Sequence, residues 1–418
     1  LAIHTIRTLA IDAIQKANSG HPGAPMALAP VAYVLSREMR YNPRNPSWFD
    51  RDRFVLSAGH ASMLLYAMLY LSGYDLPLEE LKEFRQWDSR TPGHPEHGLT
   101  AGVETTTGPL GQGIMTAVGM AMAEAHLGAV YNRPGHEVVD HCTYVLCSDG
   151  DMMEGASHEA GSLAGHLALG KLIAVYDDNR ITIDGSTDLT FSDQTASRFQ
   201  AYGWHVQDLG ESANDIEAIR AALRSAREET DRPSLVILRS HIGFGSPNKQ
   251  DTAGVHGSPL GEEEVTLTKR AYGWPEDESF LVPDRALAHM REAVERGSGL
   301  EAEWRERFDA YAQAHPELAE RFEQALDERL PAGWDADLPS FDEADGPMAT
   351  RKASGTALNA IADRVPWLVG GSADLSPSNN TLIKSSSDFS ASDYAGRNVR
   401  WGIREHVMAA ASTGMALH

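Results

Sequence analysis

The stretches TYVLCSDGDMMEG, residues 143–155, and LIAVYDDNRITIDG, residues 172–185, decide how the chain is read. Each opens with a short run of β-branched, aromatic and aliphatic residues closed by acids and glycine, the pattern of a buried strand running into a polar loop. The segment between them has the length and composition of one helix. A strand, a helix and a second strand of this size predict a right-handed crossover, with the two strands parallel and side by side or close to it. Asp149 then closes one strand and Asn179 the other, so both stand at one sheet edge. A carboxylate, an amide oxygen and a nearby main-chain carbonyl are hard oxygen donors, suited to Mg²⁺ or Ca²⁺. The plainer alternative is a helix-capping Asp and a turn Asn.

Moving outward, FVLSA (54–58) and SLVILR (234–239) repeat the strand pattern, and DIEAIRAALRSAREET (215–230) is one of several helical segments between such runs. Alternation of this kind predicts an α/β fold, a mainly parallel sheet with helices on both faces. Ligands of open α/β sheets bind beyond the carboxyl ends of the strands, where SAGHAS (57–62) and SHIGFGSPNK (240–249) also lie. A charged helical region covers about 284–329, so a first domain is expected over 1–330. The Pro-, Gly- and acid-rich stretch 331–348 reads as a linker. A new α/β pattern fills 349–418, with the helix KASGTALNAIADRV, the strand WLVGGSADL and the segment WGIREHVMAAA. It is too short for a finished domain, so an incomplete second α/β domain is expected. The chain opens inside an amphipathic helix (Ile3, Ile6, Ala10, Ala13, Ile14) and closes in REHVMAAASTGMALH without a helix stop signal. It therefore reads as a piece of a longer polypeptide.

Composition narrows the function. Among 418 residues, 36 Lys and Arg face 59 Asp and Glu, a net charge of −23. That balance argues against nucleic-acid and anionic-membrane partners. Cys142 and Cys147 are the two cysteines, too few for a disulfide framework, and a reducing, cytoplasmic setting fits. The apolar run Met63–Leu71 is shorter than the ~18 residues of a membrane span.

ETTTGPLGQG (104–113) places Gly108, Gly111 and Gly113 before the helical IMTAVGMAMAEAHL. Glycines before a helix let main-chain N–H groups approach a phosphate. The spacing matches neither the dinucleotide fingerprint nor the P-loop, and an ordinary tight turn is the alternative. His21 (SGHPGAP), His60 (SAGHAS), His94 (TPGHPEH) and His256 (GVHGSP) all sit among small residues. Such loop histidines can approach a ligand and move protons near neutral pH. Structural roles are the alternative, and no HExxH spacing supports zinc.

Taken together, SGHPGAP, SAGHAS, GHPE, TTTGPLGQG, SDGDMMEG with DDNRITIDG, IGFGSPNK with VHGSPLG, ATRKAS, GGSADLSPSN and GIREHVMAA resemble the ordered signature blocks of the transketolase family. The resemblance covers a diphosphate-binding domain and the first part of a pyrimidine-binding domain. It implies thiamine diphosphate with Mg²⁺, the metal held by Asp149, Asn179 and the carbonyl of Ile181. His60, Gly108, Leu110, Gly150, Asn179 and His256 would line the cofactor, with Asp374 approaching from a homodimer interface. Glu405 would be the catalytic glutamate beside the pyrimidine ring, and His21 and His256 proton-transfer groups. His94 would contact the donor's hydroxyls, Arg351 and Ser378 the terminal phosphate of sugar-phosphate substrates. Glu154 and Glu159 match acids linking the two active sites of the dimer.

Ser148 stands where the family's metal motif usually has Gly, a mild departure that leaves Asp149 in place. The resemblance implies ketol transfer from a ketose phosphate of the xylulose 5-phosphate type to an aldose phosphate, a step of the pentose phosphate pathway. Aromatic and His, Asp and Arg contacts lie beyond this chain in the family, which implies little turnover from these residues alone. Competing readings are a dihydroxyacetone synthase or phosphoketolase-like enzyme using the same cofactor, and a non-catalytic dimerisation subunit.

Overall fold

The computed structural model describes residues 1–418. Strands β1 (Arg53–Leu56), β2 (Thr143–Ser148), β3 (Leu172–Asp178), β4 (His205–Asp208) and β5 (Ser234–Arg239) form one parallel sheet ordered β1-β2-β3-β5-β4. As the crossover predicts, β2 and β3 are neighbours, in register from Thr143 opposite Leu172 to Ser148 opposite Asp177. The three inner strands are almost wholly buried, as their unbroken apolar runs require. The sequence reading misses β4, whose HVQD carries no apolar run. It pairs with β5 as an edge strand with its side chains half-buried or exposed.

Helices cover both faces. On one, α1 (Ala2–Ala17), α2 (Gly23–Glu38), α3 (Ser62–Ser72) and α6 (Ile216–Glu228) enclose a core of 47 buried residues. On the other, α4 (Gln112–Tyr131) and α5 (Gly155–His166) contribute to a core of 30. The start of α6 is set by Asp215, whose carboxylate accepts the N–H groups of Glu217 (3.1 Å) and Ala218 (3.0 Å). Its Ile219, Ala222, Leu223 and Ala226 then form a buried stripe at helical spacing. Burying Ile219 or Leu223 is worth roughly 1.5–3 kcal/mol each. Helix α4 alone has the length and hydropathy to cross a bilayer, but it is apolar all round because it lies inside the protein, 72% buried over its most apolar window.

The charged region forms α7 (Asp284–Ala314) and α8 (Pro316–Leu326), separated at His315 because Pro316 has no N–H to continue the ladder. Trp304, Tyr311 and Phe322 bury against Trp48 and Tyr131. From Asp327 to Thr350 no side chain is buried, as expected of a linker.

Beyond it lie α9 (Thr350–Arg364), β6 (Gly370–Ser372), β7 (Asp388–Phe389), β8 (Asn398–Arg400) and α10 (Glu405–Leu417), the strands parallel in the order β6-β8-β7. The strand read in WLVGGSADL is shorter than expected, three residues, and β7 and β8 were not legible. They are held by Asn398, whose buried amide donates to the carbonyls of Ile383 and Ser386 (2.9 Å each) and accepts the Ile383 N–H (2.8 Å).

This second unit does not stand apart. Phe389, Val399, Trp401, Val407 and Ala411 complete the 30-residue core with α4. Where α10 crosses α4 the backbones touch: a Cβ on Gly119 would lie 1.9 Å from the Ala411 carbonyl oxygen, and one on Gly414 2.0 Å from that of Thr116. Only glycine fits at either position. We therefore expect Gly414→Ala to cost about 1–3 kcal/mol by overpacking and to speed proteolysis of 346–418. In contrast, Gly299→Ala, with nothing within 4 Å of the added carbon, should add up to ~1 kcal/mol through helix propensity. Urea denaturation of the two variants checks both signs.

Candidate active site

The loops after β1, β2, β3 and β5 meet with the loop before α4 and the turn before α2 around a cavity of about 470 Å³ at the carboxyl ends of the strands. Nine residues singled out from sequence line it. Gly108, Leu110 and Gly150 form one wall, Asp149, Asn179 and Ile181 a second, and His21, His60 and His256 a third.

The first wall is built on a buried carboxylate. Asp151 Oδ1 accepts the Ser57 hydroxyl (2.6 Å) and the Gly111 N–H (2.9 Å), and Oδ2 accepts the N–H (2.8 Å) and hydroxyl (3.1 Å) of Ser148. Ser57 Oγ in turn accepts the N–H of Ile114. Three loops are thereby drawn together closely enough to exclude side chains. A Cβ on Gly113 would fall 2.4 Å from Ser57 Cα, and one on Gly59 2.9 Å from the Gly108 nitrogen. Gly111 enters α4 at φ 81°, a left-handed conformation that glycine adopts without steric cost.

At the second wall, Asp149 Oδ1 accepts the Tyr176 hydroxyl (2.6 Å) and Oδ2 the N–H groups of Asn179 (3.1 Å) and Arg180 (2.8 Å). These two N–H bonds hold Arg180 left-handed, at φ 63°. Burial pushes the Asp149 carboxyl up to about 7, with Asp177 and Asp178 adding repulsion and Tyr176 opposing it. Asn179 Oδ1 accepts the Ile181 N–H (3.0 Å). No group of three His, Cys, Asp or Glu able to hold a metal exists in the protein. A cation here would rely on one carboxylate, an amide oxygen and a carbonyl, a hard-oxygen set that fits Mg²⁺ or Ca²⁺ if a ligand's own oxygens complete it.

The third wall forms because Gly23, two residues after His21, lets the turn pack onto the loop after β5. Gly243 N–H donates to the Gly23 carbonyl (2.9 Å), and a Cβ on Gly23 would lie 2.7 Å from the Val255 oxygen. The ring centroids of His21 and His60 are 5.1 Å apart, His60 and His256 5.2 Å, His21 and His256 5.9 Å. Burial, and then the neighbouring imidazoles, lower His21 to about 4 and His60 to about 3. Burial likewise lowers His256, and its buried Nδ1 has no partner in the protein. These imidazoles are neutral at pH 7, and His256 has an atom free for a ligand. Exposed His94 lies beside Gly108, its ring 3.5 Å from where a Cβ would be.

Glu405, Asp374, Arg351, Ser378 and Glu154 are exposed and do not line the cavity. Glu159 is half-buried on α5 and accepts the Val407 N–H (3.2 Å) at the start of α10.

A sheet with this cavity at its switch of loops has many possible owners, and comparison with known proteins selects among them. Residues 1–331 match the family model described as transketolase, thiamine diphosphate binding domain, and residues 346–418 that described as transketolase, pyrimidine binding domain. The chain belongs to the transketolase family. It is 58% identical over 420 residues to the transketolase of Geobacillus stearothermophilus, covering all of this chain and 63% of that one. With the transketolase of Bacillus subtilis the identity is 54% over 419 residues, covering 62% of the relative. The structure of the transketolase of Pichia stipitis in complex with sedoheptulose 7-phosphate superposes with a TM-score of 0.98 at 49% identity, over all of this chain and 62% of that one. The chain thus spans somewhat less than two thirds of the length of these transketolases.

Three residues that support the walls of this transketolase-family cavity without lining it were not singled out from sequence. Asp151 had a signal, since Ser148 and Asp151 form a capping box around the short helix that follows β2. Asp177 sits behind Asn179 and was hidden in a pair of acids. Arg85 had none: it is left-handed at φ 61°, donates to the Ser19 hydroxyl (2.7 Å) and brings Nη2 to 3.5 Å from His21 Nδ1.

Two tests follow from this geometry. Asp151→Ala strands the Ser57 hydroxyl and the Gly111 and Ser148 N–H groups in a buried site, at about 1–3 kcal/mol for each group left unpaired. A loss of at least ~3 kcal/mol in denaturant unfolding is expected. For His21 and His60 the folded values, about 4 and 3, lie below the ordinary 6.5. Between those values the unfolded chain binds more protons, so stability rises with pH there. Their contribution is complete above about pH 6.5 and is lost as pH falls toward 3. Replacing His60 by Gln should flatten the melting-temperature profile between pH 6.5 and 4.

Proposed function

We propose that this chain holds the cofactor half of a transketolase, moving a two-carbon ketol unit from a ketose phosphate of the xylulose 5-phosphate type to an aldose phosphate in the pentose phosphate pathway. The observation that carries the reading is the cavity itself: Gly loop, hard-oxygen corner and neutral histidines share one space. The division into 1–330, a linker over 331–348 and 349–418 belongs to the same reading, supported by the exposed stretch Asp327–Thr350.

Asp149, Asn179 and the Ile181 carbonyl would hold Mg²⁺, with Ca²⁺ or another divalent ion as a substitute. Gly108, Leu110, Gly150 and His60 would receive the diphosphate of thiamine diphosphate. When bound, that cofactor supplies a nucleophilic carbon and an electron sink for cleaving a carbon–carbon bond. No Lys or Arg lines the cavity, so the diphosphate's charge would fall to main-chain N–H groups and the cation. Affinity for the cofactor must then depend on the metal.

His21 and His256, neutral because buried, would accept and return protons at the substrate's hydroxyl groups. His94, at the rim, would contact the donor's hydroxyls, and Arg351 and Ser378 would grip the sugar's terminal phosphate, the guanidinium in a two-oxygen fork. Glu405 would hold a proton position on the pyrimidine, Asp374 would reach the cofactor, and Glu154 and Glu159 would connect two sites.

These last groups imply a homodimer, in which one protomer's second unit completes its partner's cavity. Two observations support this. Glu405 and Asp374 are exposed beside Ile403 (78%) and Leu375 (56%), and the cavity is lined by Ile183, 69% exposed. Apolar side chains are thus left open at both places, and twofold pairing is the commonest way to cover them. Two free, buried cysteines and a net charge of −23 accord with a cytoplasmic protein that binds neither nucleic acid nor membrane.

The reading is tested in the full-length protein with thiamine diphosphate, Mg²⁺, inorganic phosphate, xylulose 5-phosphate and ribose 5-phosphate. Formation of a seven-carbon ketose phosphate supports it, and release of acetyl phosphate would point to a phosphoketolase. Chelation of the metal should abolish cofactor binding. Glu405→Gln should lower ketol transfer at least ~100-fold while leaving binding of inorganic diphosphate and metal unchanged; unaltered turnover would remove Glu405 from the mechanism.

A further inference from the structure

We propose that Asp177 and Ser240 are positioning residues for the cation: Asp177 fixes which end of the Asn179 side-chain amide faces the metal, and Ser240 fixes Asp177. The inference rests on the reading of Asp149, Asn179 and Ile181 as cation ligands.

An asparagine amide carries an oxygen on one side and an NH₂ of nearly the same size on the other. Only the oxygen can ligate a metal, and shape alone does not choose between the two orientations. At Asn179 the choice is made by hydrogen bonding. Nδ2 donates to Asp177 Oδ2 (2.8 Å), and Oδ1 accepts the Ile181 N–H (3.0 Å). Reversing the amide would set its oxygen against a carboxylate oxygen and its NH₂ against an N–H. Both contacts would be repulsive, in a place where Asp177 is 1% and Asn179 4% exposed. Unpaired groups cannot turn to water there.

The residue type at 177 matters. A serine or an amide could donate as well as accept and would leave both orientations of Asn179 open, whereas an ionised carboxylate only accepts. Asp177 also has little freedom of its own. It lies on β3 opposite Ser148 of β2 and Leu238 of β5, two residues before Asn179, which follows the end of the strand. Its Oδ1 accepts the hydroxyl of Ser240, which is fully buried and whose N–H donates to the Asp178 carbonyl (3.2 Å). Ser240 begins the loop that Gly243 ties to the His21 turn, so the cation corner and the histidine wall are fixed through one set of bonds.

The test titrates Mn²⁺ into the full chain in the presence of inorganic diphosphate, read by electron paramagnetic resonance of free Mn²⁺. Asp177→Ala should weaken Mn²⁺ binding about 10- to 100-fold, the usual effect of losing a ligand's orienting partner. Ser240→Ala should weaken it less. The deciding comparison adds Asn179→Asp, which makes both ends of the side chain oxygen and leaves no orientation to fix. In that background Asp177→Ala should cause no further loss. An equal loss with and without Asn179→Asp would mean that Asp177 acts through charge or general structure, and would overturn the proposal, as would no loss at all. Circular dichroism checks folding, and Ser240→Ala, with and without Asn179→Asp, decides the matter by the same rule if Asp177→Ala does not fold. If the unaltered chain binds no Mn²⁺ with diphosphate, the reading of the cation site itself fails, and this inference with it.

Discussion

Asp151 lies where three chain segments must agree. Its carboxylate is buried, which raises its proton affinity, and hydrogen bonds from Ser57, Gly111 and Ser148 offset that cost. Those donors belong to the loops after β1 and β2 and to the entry into α4. The glycine wall of the cavity is therefore not an independent feature. Moving any of the three loops would strand a donor where water cannot replace it. Because α4 is the surface on which α10 docks, the same carboxylate also governs where the second unit sits.

What could be read from the sequence follows from what the physics makes local. The neighbouring of β2 and β3 was legible because one helical segment was read between two apolar runs, although it divides into a short helix over Asp149–Met153 and α5, and the residues that follow the runs include Asp149 and Asn179. The glycine loop and the histidines were legible as types of residue in unusual company. Strands β4, β7 and β8 were not, because each is short and held mainly by its neighbours. Asp151 is bonded to Ser57 across 94 positions and Asp177 to Ser240 across 63. No local pattern encodes such a pair. Glu405 is the opposite case. Only family resemblance singled it out, and within one chain it is an exposed residue opening a helix.

The cavity also shows how a strongly acidic protein can suit an anion. With a net charge of −23 the long-range field opposes a diphosphate, and no basic side chain lines the space to counter it. What remains is short-range: the main chain around Gly108, Leu110 and Gly150, and a corner of neutral and acidic oxygens that would gather positive charge only with a cation. Removing water from the histidines serves the same economy, since neutral imidazoles neither repel a cation nor trap an anion in an unreactive ion pair.

The glycine crossing of α4 and α10 acts as a pivot for a lever. With backbone against backbone at Gly119 and Gly414, no side chain separates the two helices at the crossing, so a change of packing there would turn α10 about that point. The far end of α10, where Glu405 stands, lies about 13 Å away at ~1.5 Å per residue. A tilt of about 10° would sweep it through roughly 2 Å, well beyond the ~0.5 Å that a functional constellation tolerates. Near that end α10 is held by the bond from the Val407 N–H to Glu159 and by Arg404, which donates to the Ser162 hydroxyl (3.2 Å). The crossing at the fulcrum and the bonds near the tip thus help to set the aim of a residue that none of them touches.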